Sequence, residues 1–419
     1  MVLYVARIMN IQSIRRIDYW VGIPVCFILS LVNKVERFLG IRKPNPQKKP
    51  RKILFMLISE LGSTVVAYPA FRKVQEVYPG AEYFFLVFHE NREVVSLLGL
   101  MPDSNILTLR KKSFLFFLKD TLLTLVRVRK IGIDTVIDYE LFSRFSNIMS
   151  FLSGAVRRVG FHRFTMEGLY RGNLVTNRVL YSQNRHMVYN FLALSHSLWA
   201  PESEQPFLKK SLKHEPLDLP LILPTPVEQS ALWEKLRRIH VGIRPESKLV
   251  IFNPNASALL PLRKWPLRFY GELARLMLRD PELYIACIGV ASEKPDAQAV
   301  IREASDDRVI DLTGETTLRE LVFLFGISRL LITSDCGPAH IACLSRIPIL
   351  IFFGPETPSL FAPLSPRVTI LSEDYACSPC VSVYNHRQSP CDNNLCLQSI
   401  TPESVFTIAQ SIIEAKDRN

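Results

Sequence analysis

The chain has 419 residues, 48% of them apolar and 21% charged. That is long enough for two or three domains, and the composition is that of a folded protein, not of a disordered, collagen-like or coiled-coil chain. The net charge of +12 is uneven, with +9 on residues 1–52 and +3 on residues 53–419, so the body is nearly neutral and nucleic-acid binding loses its electrostatic basis.

In chain order, the first feature is the uncharged 14-residue run Tyr19–Val32, bracketed by Arg15 and Arg16 before it and Lys34 and Arg37 after it. As a helix it would be about 21 Å long, short of the ~30 Å hydrocarbon core of a bilayer. Pro24 lies near its middle and removes a backbone donor. Residues 14–37 are therefore expected to form a kinked, membrane-associated segment that enters one leaflet and returns, on the cytoplasmic face. A helix packed on the body and a full span are the alternatives. No small-residue cleavage site follows, which argues against a signal peptide. Ile41–Lys52 then carries six Lys/Arg and three Pro without an acid, as expected of a solvated tether beside anionic headgroups.

Beyond Lys52, apolar runs alternate with helical patterns. Ile53–Ile58 reads as a doubly buried strand of a parallel sheet, followed by a helix over Thr64–Val77. Tyr83–Phe88, Asn105–Leu109 and Thr135–Tyr139 read as further strands, with a long apolar-basic helix over Phe114–Lys130. Prolines 201, 206, 216, 220, 224 and 226 then break regular structure and mark a linker. A second series follows: apolar runs at Leu249–Asn253, Tyr284–Gly289, Leu318–Ile327, Leu330–Thr333 and Ile347–Phe353, with helices over Pro266–Arg279, near Ala297 and from Pro338. The fold class is thus α/β, with a segment at 1–52 and Rossmann-like domains at 53–222 and 223–419 whose strand ends face a cleft.

The most informative motif is Ser334-Asp335-Cys336-Gly337-Pro338-Ala339-His340, between an apolar strand and an apolar helix. Pro338 suits a first helical turn, and Gly337 allows close approach of a ligand. The amides at that helix start suit a phosphate, Asp335 suits sugar hydroxyls, and His340 on the first turn faces the same space. Asp335 as a plain helix cap is the alternative. Arg263-Lys264-Trp265-Pro266 opens another helix after the strand exit Asn253-Pro254-Asn255-Ala256-Ser257, and a Lys264 ammonium there could neutralise a departing diphosphate. Glu293, just past a strand, is placed to bind ribose hydroxyls.

Together with Asp311-Leu312-Thr313-Gly314, Phe353-Gly354-Pro355-Glu356-Thr357-Pro358 and the opening Lys52-Ile53-Leu54 through Leu61-Gly62, these motifs resemble the ADP-heptose:lipopolysaccharide heptosyltransferases, the family 9 glycosyltransferases. The resemblance covers roughly residues 52–412. It implies a GT-B fold, an ADP-sugar donor on the second domain, a lipid-linked saccharide acceptor on the first, and inverting transfer that needs no metal. It implies Lys264 as the diphosphate lysine, Glu293 as the ribose acid, and Asp335, Gly337 and His340 in the donor loop, with Asn255, Ser257, Cys336 and Pro338 beside them. One position departs from the pattern: where the family has its general-base Asp after the first-loop glycine, this chain has Ser63. A serine hydroxyl cannot take the acceptor proton unaided, whereas Glu60, three residues earlier, can. The expected catalytic set is Glu60, Ser63 and Lys264. A non-catalytic nucleotide-sugar-binding scaffold of envelope assembly is the alternative, and a sugar-nucleotide epimerase a third reading.

Four of the eight cysteines cluster as Cys377, Cys380, Cys391 and Cys396, with His386 between. The spacing fits a structural zinc, two disulfides or four thiols. In a cytoplasmic enzyme disulfides are rare, so if these cysteines are linked at all, a structural zinc is favoured over disulfides. Cys26, Cys287 and Cys343 read as core residues.

Overall fold

Continuous apolar runs become strands buried on both faces, and in both halves of the chain they assemble in one pattern. The computed structural model describes residues 11–41, 48–162, 169–256, 260–385 and 387–417, in two units, Met1–Leu217 and Asp218–Asn419. The first unit begins with α1 (Ile11–Trp20) and α2 (Gly22–Phe38). There follow β1 (Lys52–Met56), α3 (Leu61–Val66), α4 (Tyr68–Val77), β2 (Glu82–Phe88), α5 (Arg92–Leu97), β3 (Ile106–Leu109) and α6 (Phe114–Ile131). The unit is completed by β4 (Thr135–Asp138), α7 (Arg144–Leu152), β5 (Arg157–Phe161), β6 (Asn177–Val179) and α8 (Met187–His196). Its sheet is six-stranded, ordered β3-β2-β1-β4-β5-β6, and every pairing is parallel. The helix predicted over Thr64–Val77 is two, divided at Ala67, with Pro69 in the first turn of α4 where its missing N–H is harmless.

The second unit runs α9 (Pro226–Ile239), β7 (Lys248–Asn253), α10 (Leu267–Met277), β8 (Leu283–Cys287), α11 (Lys294–Ala304), β9 (Val309–Asp311) and α12 (Leu318–Ile327). It continues with β10 (Leu330–Ser334), α13 (Gly337–Ala342), β11 (Ile349–Phe352), α14 (Pro358–Phe361), β12 (Val368–Leu371), α15 (Leu395–Gln398) and α16 (Pro402–Asp417). Its sheet, β12-β11-β10-β7-β8-β9, has the same topology: the first and fourth strands of each unit lie side by side, and the order reverses between them. That reversal opens a crevice at the carboxyl ends of the central strands, where open α/β sheets bind ligands. The core beneath it packs Trp265, Tyr270 and Phe352, with the Trp265 and Phe352 rings stacked at 4.6 Å.

The amino-terminal helices differ from expectation. The run is two helices that meet at Val21, which keeps an αR backbone and helical bonds on both sides (Val21 N to Ile17 O, 2.9 Å; Val25 N to Val21 O, 3.2 Å); Pro24 has no N–H to give to Trp20 O, so the interruption falls near the start of the run and not at its middle. One face of α2 packs on the unit. Cys26 joins Phe151 and Leu174 in a small core, and the buried Asn33 amide donates to Asn173 O (2.7 Å) and accepts from Arg158 Nη2 (3.2 Å). Gly172, at φ +70, permits this contact, because a Cβ there would lie 2.4 Å from Ser30 Oγ. Among the described residues no helix is long and apolar enough to cross a membrane.

Candidate active site

In the second unit the crevice is locked by neutral groups. Asn253, the last residue of β7, donates from Nδ2 to Thr333 Oγ1 (3.0 Å) and to Cys336 Sγ (2.8 Å) across to β10. Burial pushes the Cys336 thiol up to about 11, so this residue fills space and does not act as a thiolate. The N-cap of α13 is Cys336, without a side-chain cap, and Asp335 is not the cap. Its Oδ2 instead accepts from Arg263 Nη1 at 2.9 Å, with both side chains largely buried. Pro338 lies in the first turn as predicted, and His340 is buried on the same six-residue helix.

The Arg263–Pro266 loop is pinned by its tryptophan. Trp265 is fully buried, its backbone N–H donates to Ser334 Oγ (3.2 Å) and its indole N–H to Ile400 O (3.0 Å). Asn394 holds the same loop from the other side, donating to Leu262 O (2.8 Å) and Lys264 O (2.9 Å). So fixed, Lys264 forms an ion pair with Asp296 on α11, one turn from Glu293. Burial raises the Glu293 carboxyl above its ordinary value, while the Lys264 charge pulls it down. Glu293 Oε2 accepts the Val290 N–H at 2.9 Å. Gly289 leaves room for this group: a Cβ there would lie 2.6 Å from Asn255 Nδ2 and 2.8 Å from Glu293 Oε2. Asn255 donates to Ile288 O (3.0 Å), and its Oδ1 is buried without a hydrogen-bond partner among the described residues. The structure thus gathers Asn255, Lys264 and Glu293 on one flank of the crevice and Asp335, Cys336, Gly337, Pro338 and His340 on the other. Ser257 lies outside the described residues.

In the first unit the crevice is acidic. Glu60 precedes α3, and Ser63 Oγ donates to Glu60 Oε2 at 2.5 Å. Glu140, just past β4, is buried; its Oε1 accepts from Ile58 N (2.6 Å), Ser59 N (2.8 Å) and Ser59 Oγ (3.0 Å). Burial, then the neighbouring charges of Glu60 and Asp138, push the Glu140 carboxyl up to about 7. Asp138, fully buried, accepts from Glu140 N (3.1 Å) and Ser146 Oγ (2.8 Å) and pairs with Arg171. Sequence reasoning missed Glu140, Asp296 and Asn394. A carboxylate directly after a doubly buried strand was a usable signal for Glu140.

The expected zinc cysteines Cys377, Cys380, Cys391 and Cys396 lie in one neighbourhood: burial, then the nearby Cys380, Cys377 and Cys391, raise the Cys396 thiol above its ordinary value. All four thiols are free, and among the described residues no three His, Cys, Asp or Glu side chains are placed to hold a metal ion. His386 lies outside the described residues. Cys396 is turned inward, its Sγ 2.7 Å from where a Gly354 Cβ would stand, while Cys377 and Cys391 are exposed. The segment braces the Phe353–Pro358 loop instead: Ser378 Oγ donates to Gly354 O (2.6 Å), Cys380 N donates to Pro355 O (3.0 Å), and Arg387 pairs with the buried Glu356 at 3.4 Å.

The model of glycosyltransferase family 9 (heptosyltransferase) matches residues 143–389, more than half the chain. The chain belongs to glycosyltransferase family 9. Among its relatives, the lipopolysaccharide heptosyltransferase 2 of Escherichia coli K12 is 24% identical over 230 residues, which cover 54% of this chain and 61% of the relative. The lipooligosaccharide heptosyltransferase 2 of Haemophilus influenzae is 28% identical over 162 residues, covering 37% and 46%. This family 9 chain therefore spans about half the length of the curated relatives it matches. The fold resembles that of the E. coli ADP-heptose lipopolysaccharide heptosyltransferase II structure, with TM-score 0.66, 20% identity and coverage of 87% of this chain and 99% of the other. It also resembles the family 9 glycosyl transferase of Veillonella parvula, with TM-score 0.67, 17% identity and coverage of 87% and 97%.

Proposed function

We propose that this family 9 protein is an inverting glycosyltransferase that moves heptose from ADP-heptose to a lipid-linked saccharide such as the inner core of lipopolysaccharide. It works at the cytoplasmic face of the inner membrane, with residues 14–37 on the membrane surface. Glu60 takes the proton of the acceptor hydroxyl as that oxygen attacks the anomeric carbon. The bond from that carbon to the diphosphate oxygen breaks, and ADP leaves with its charge met by Lys264 and the main-chain amides after Asp335. Glu293 and Asn255 hold the nucleoside, and Asp335 and His340 the sugar. The proposed transfer uses no metal in any step; metal content of protein purified without chelator tests the zinc expectation, an ion bound per chain supporting it and a metal-free chain opposing it.

The observation that carries this reading is the 2.5 Å hydrogen bond from Ser63 to Glu60. It joins the serine at the family's base position to a carboxylate. The ion pairs that occupy Lys264 and Arg263 favour the second reading, a scaffold that binds nucleotide sugar without transfer. Mass detection of heptosylated acceptor separates them. Transfer by the wild type that is lost in Glu60→Gln supports the enzyme, and ADP-heptose binding without transfer or donor hydrolysis supports the scaffold.

A further inference from the structure

The helix α6 is apolar on two sides. Its inner side carries Phe117, Leu125 and Val128 against the sheet. Its outer side carries Phe114, Leu115, Leu118, Leu122 and Val126, all exposed, with Leu115 at 76%. At 100° per residue these five fall within about 120° of one another, a coherent exposed stripe that flanks the inner side. α2 repeats the device: Phe27, Ile28, Leu31, Val35 and Phe38 are exposed and lie within about 100°.

The two stripes belong to one helix layer. α6 runs along α7, with Phe117 against Phe145 (4.9 Å) at one end and Arg129 Nε donating to Leu152 O (2.8 Å) at the other. α2 and the end of α1 run along the same helix, with Asp18 Oδ1 accepting from Phe145 N (2.9 Å) and Cys26 packed by Phe151. Water solvates two such stripes poorly, and soluble surfaces rarely leave contiguous patches of this kind unpartnered.

The charge around the stripes selects the partner. Residues 110–130 hold seven Lys/Arg and one acid, Asp120, which is buried and bound by Arg110 through two hydrogen bonds of 2.7 and 2.8 Å. Lys112, Lys119, Arg127, Arg129 and Lys130 are exposed. A cavity of about 370 Å³ beside α6 is lined by Arg110, Asp120, Leu123 and Arg127 among others; Arg110 is held there by Asp120, and Arg127 Nη2 donates to Ser104 O (2.9 Å). Guanidinium groups suit phosphate, and a basic rim around an apolar helix suits an anionic lipid surface in the plane of the interface.

We infer that α6 and α2 together form a monotopic docking face for an anionic bilayer, with the outer leucines among the acyl chains and the basic rim at the headgroups. This extends the membrane placement proposed above from residues 14–37 to α6, which the apolar amino-terminal run does not include.

Flotation of the full chain with vesicles of phosphatidylcholine, with and without phosphatidylglycerol, tests it. Wild type is expected to bind the anionic vesicles preferentially, and Leu118→Glu/Leu122→Glu to bind them at least about tenfold more weakly with α2 untouched. Lys112→Glu/Lys119→Glu/Lys130→Glu keeps the stripe intact and is expected to lose the anionic preference, so a misfolded leucine variant leaves the question answerable. Undiminished binding by both variants overturns the inference, as does equal wild-type binding to both vesicle types. A wild-type dimer that the leucine variant converts to monomer, without vesicle binding, overturns it in favour of a second copy of the chain. Thermal shift with ADP-heptose on the same samples keeps the two readings apart: a shift without flotation removes only the docking face, and flotation without a shift removes only the transferase.

Discussion

At the crevice of the first unit, between β1 and β4, the groups that meet are Glu60, Asp138 and Glu140; at that of the second, between β7 and β10, they are Asn253, Thr333 and Cys336, flanked by Arg263 and Lys264. The strand order is the same in both, so the backbone offers the same crevice in each place. The side chains divide the labour. Carboxylates crowded together and buried bind protons more tightly, as Glu140 at about 7 illustrates, and such surroundings suit a base. Cations pinned by a buried tryptophan and held close to carboxylates suit a departing diphosphate. Under the proposed function, one architecture serves proton removal in one unit and charge stabilisation in the other.

The largest expected effect breaks the acidic side alone. Glu60→Gln should lower kcat by about a thousandfold, the range of general-base catalysis, with the ADP-heptose thermal shift unchanged. Steady-state kinetics and thermal shift check both halves, and weakened donor binding would erase the distinction between the units. Ser63→Asp should retain turnover in the Glu60→Gln background if position 63 reaches the same acceptor proton. The mirror experiment is Lys264→Ala, expected to cost about a hundredfold in kcat/KM while leaving the pH profile of kcat in place. A pH profile that moved would mean Lys264 tunes the base.

Glu140 sharpens the comparison through stability. Its folded carboxyl titrates near 7, above its ordinary value of 4.5. The folded state therefore holds more protons than the unfolded state between those values, and this group's contribution to stability falls as pH rises through that window. The slope is at most about 1.4 kcal/mol per pH unit. Denaturation midpoints of Glu140→Gln across pH 5–7 should show that slope flattened. An unchanged slope would mean that other groups dominate the window.

Much of this was readable from residues near one another in the chain. Doubly buried strands announce themselves as continuous apolar runs, so β2, β7 and β10 fall within one residue of their predicted bounds and β1 within two. The start of α13 was legible because Gly337, Pro338 and the flanking apolar elements follow local rules of helix initiation. Where Pro24 acts was less legible: its missing N–H frees the carbonyl four residues earlier, so the interruption falls at Val21, near the start of the apolar run and not at its middle. The ion pairs were not legible at all. Lys264 and Asp296 are 32 residues apart, and Arg263 and Asp335 are 72 apart, and only the sheet order brings them together. The cysteine spacing does bring Cys377, Cys380, Cys391 and Cys396 into one neighbourhood, but spacing could not show that Cys396 is buried against Gly354 while Cys377 and Cys391 are exposed.

The smallest effect decides how the basic side works. Lys264 and Asp296 are each about 30% exposed, and ion pairs at such positions contribute about 0–1 kcal/mol. If the donor diphosphate must draw Lys264 away from Asp296, then Asp296→Asn should release the ammonium and lower the donor KM by up to about fivefold, the equivalent of 1 kcal/mol. If Asp296 instead holds Lys264 in the productive position, the same variant should raise KM by a similar factor, because the lysine would spend time in conformers that miss the phosphates. Donor KM measured at saturating acceptor gives the sign. A change above about tenfold in either direction exceeds what the pair itself can supply, and would place Asp296 in direct contact with the donor.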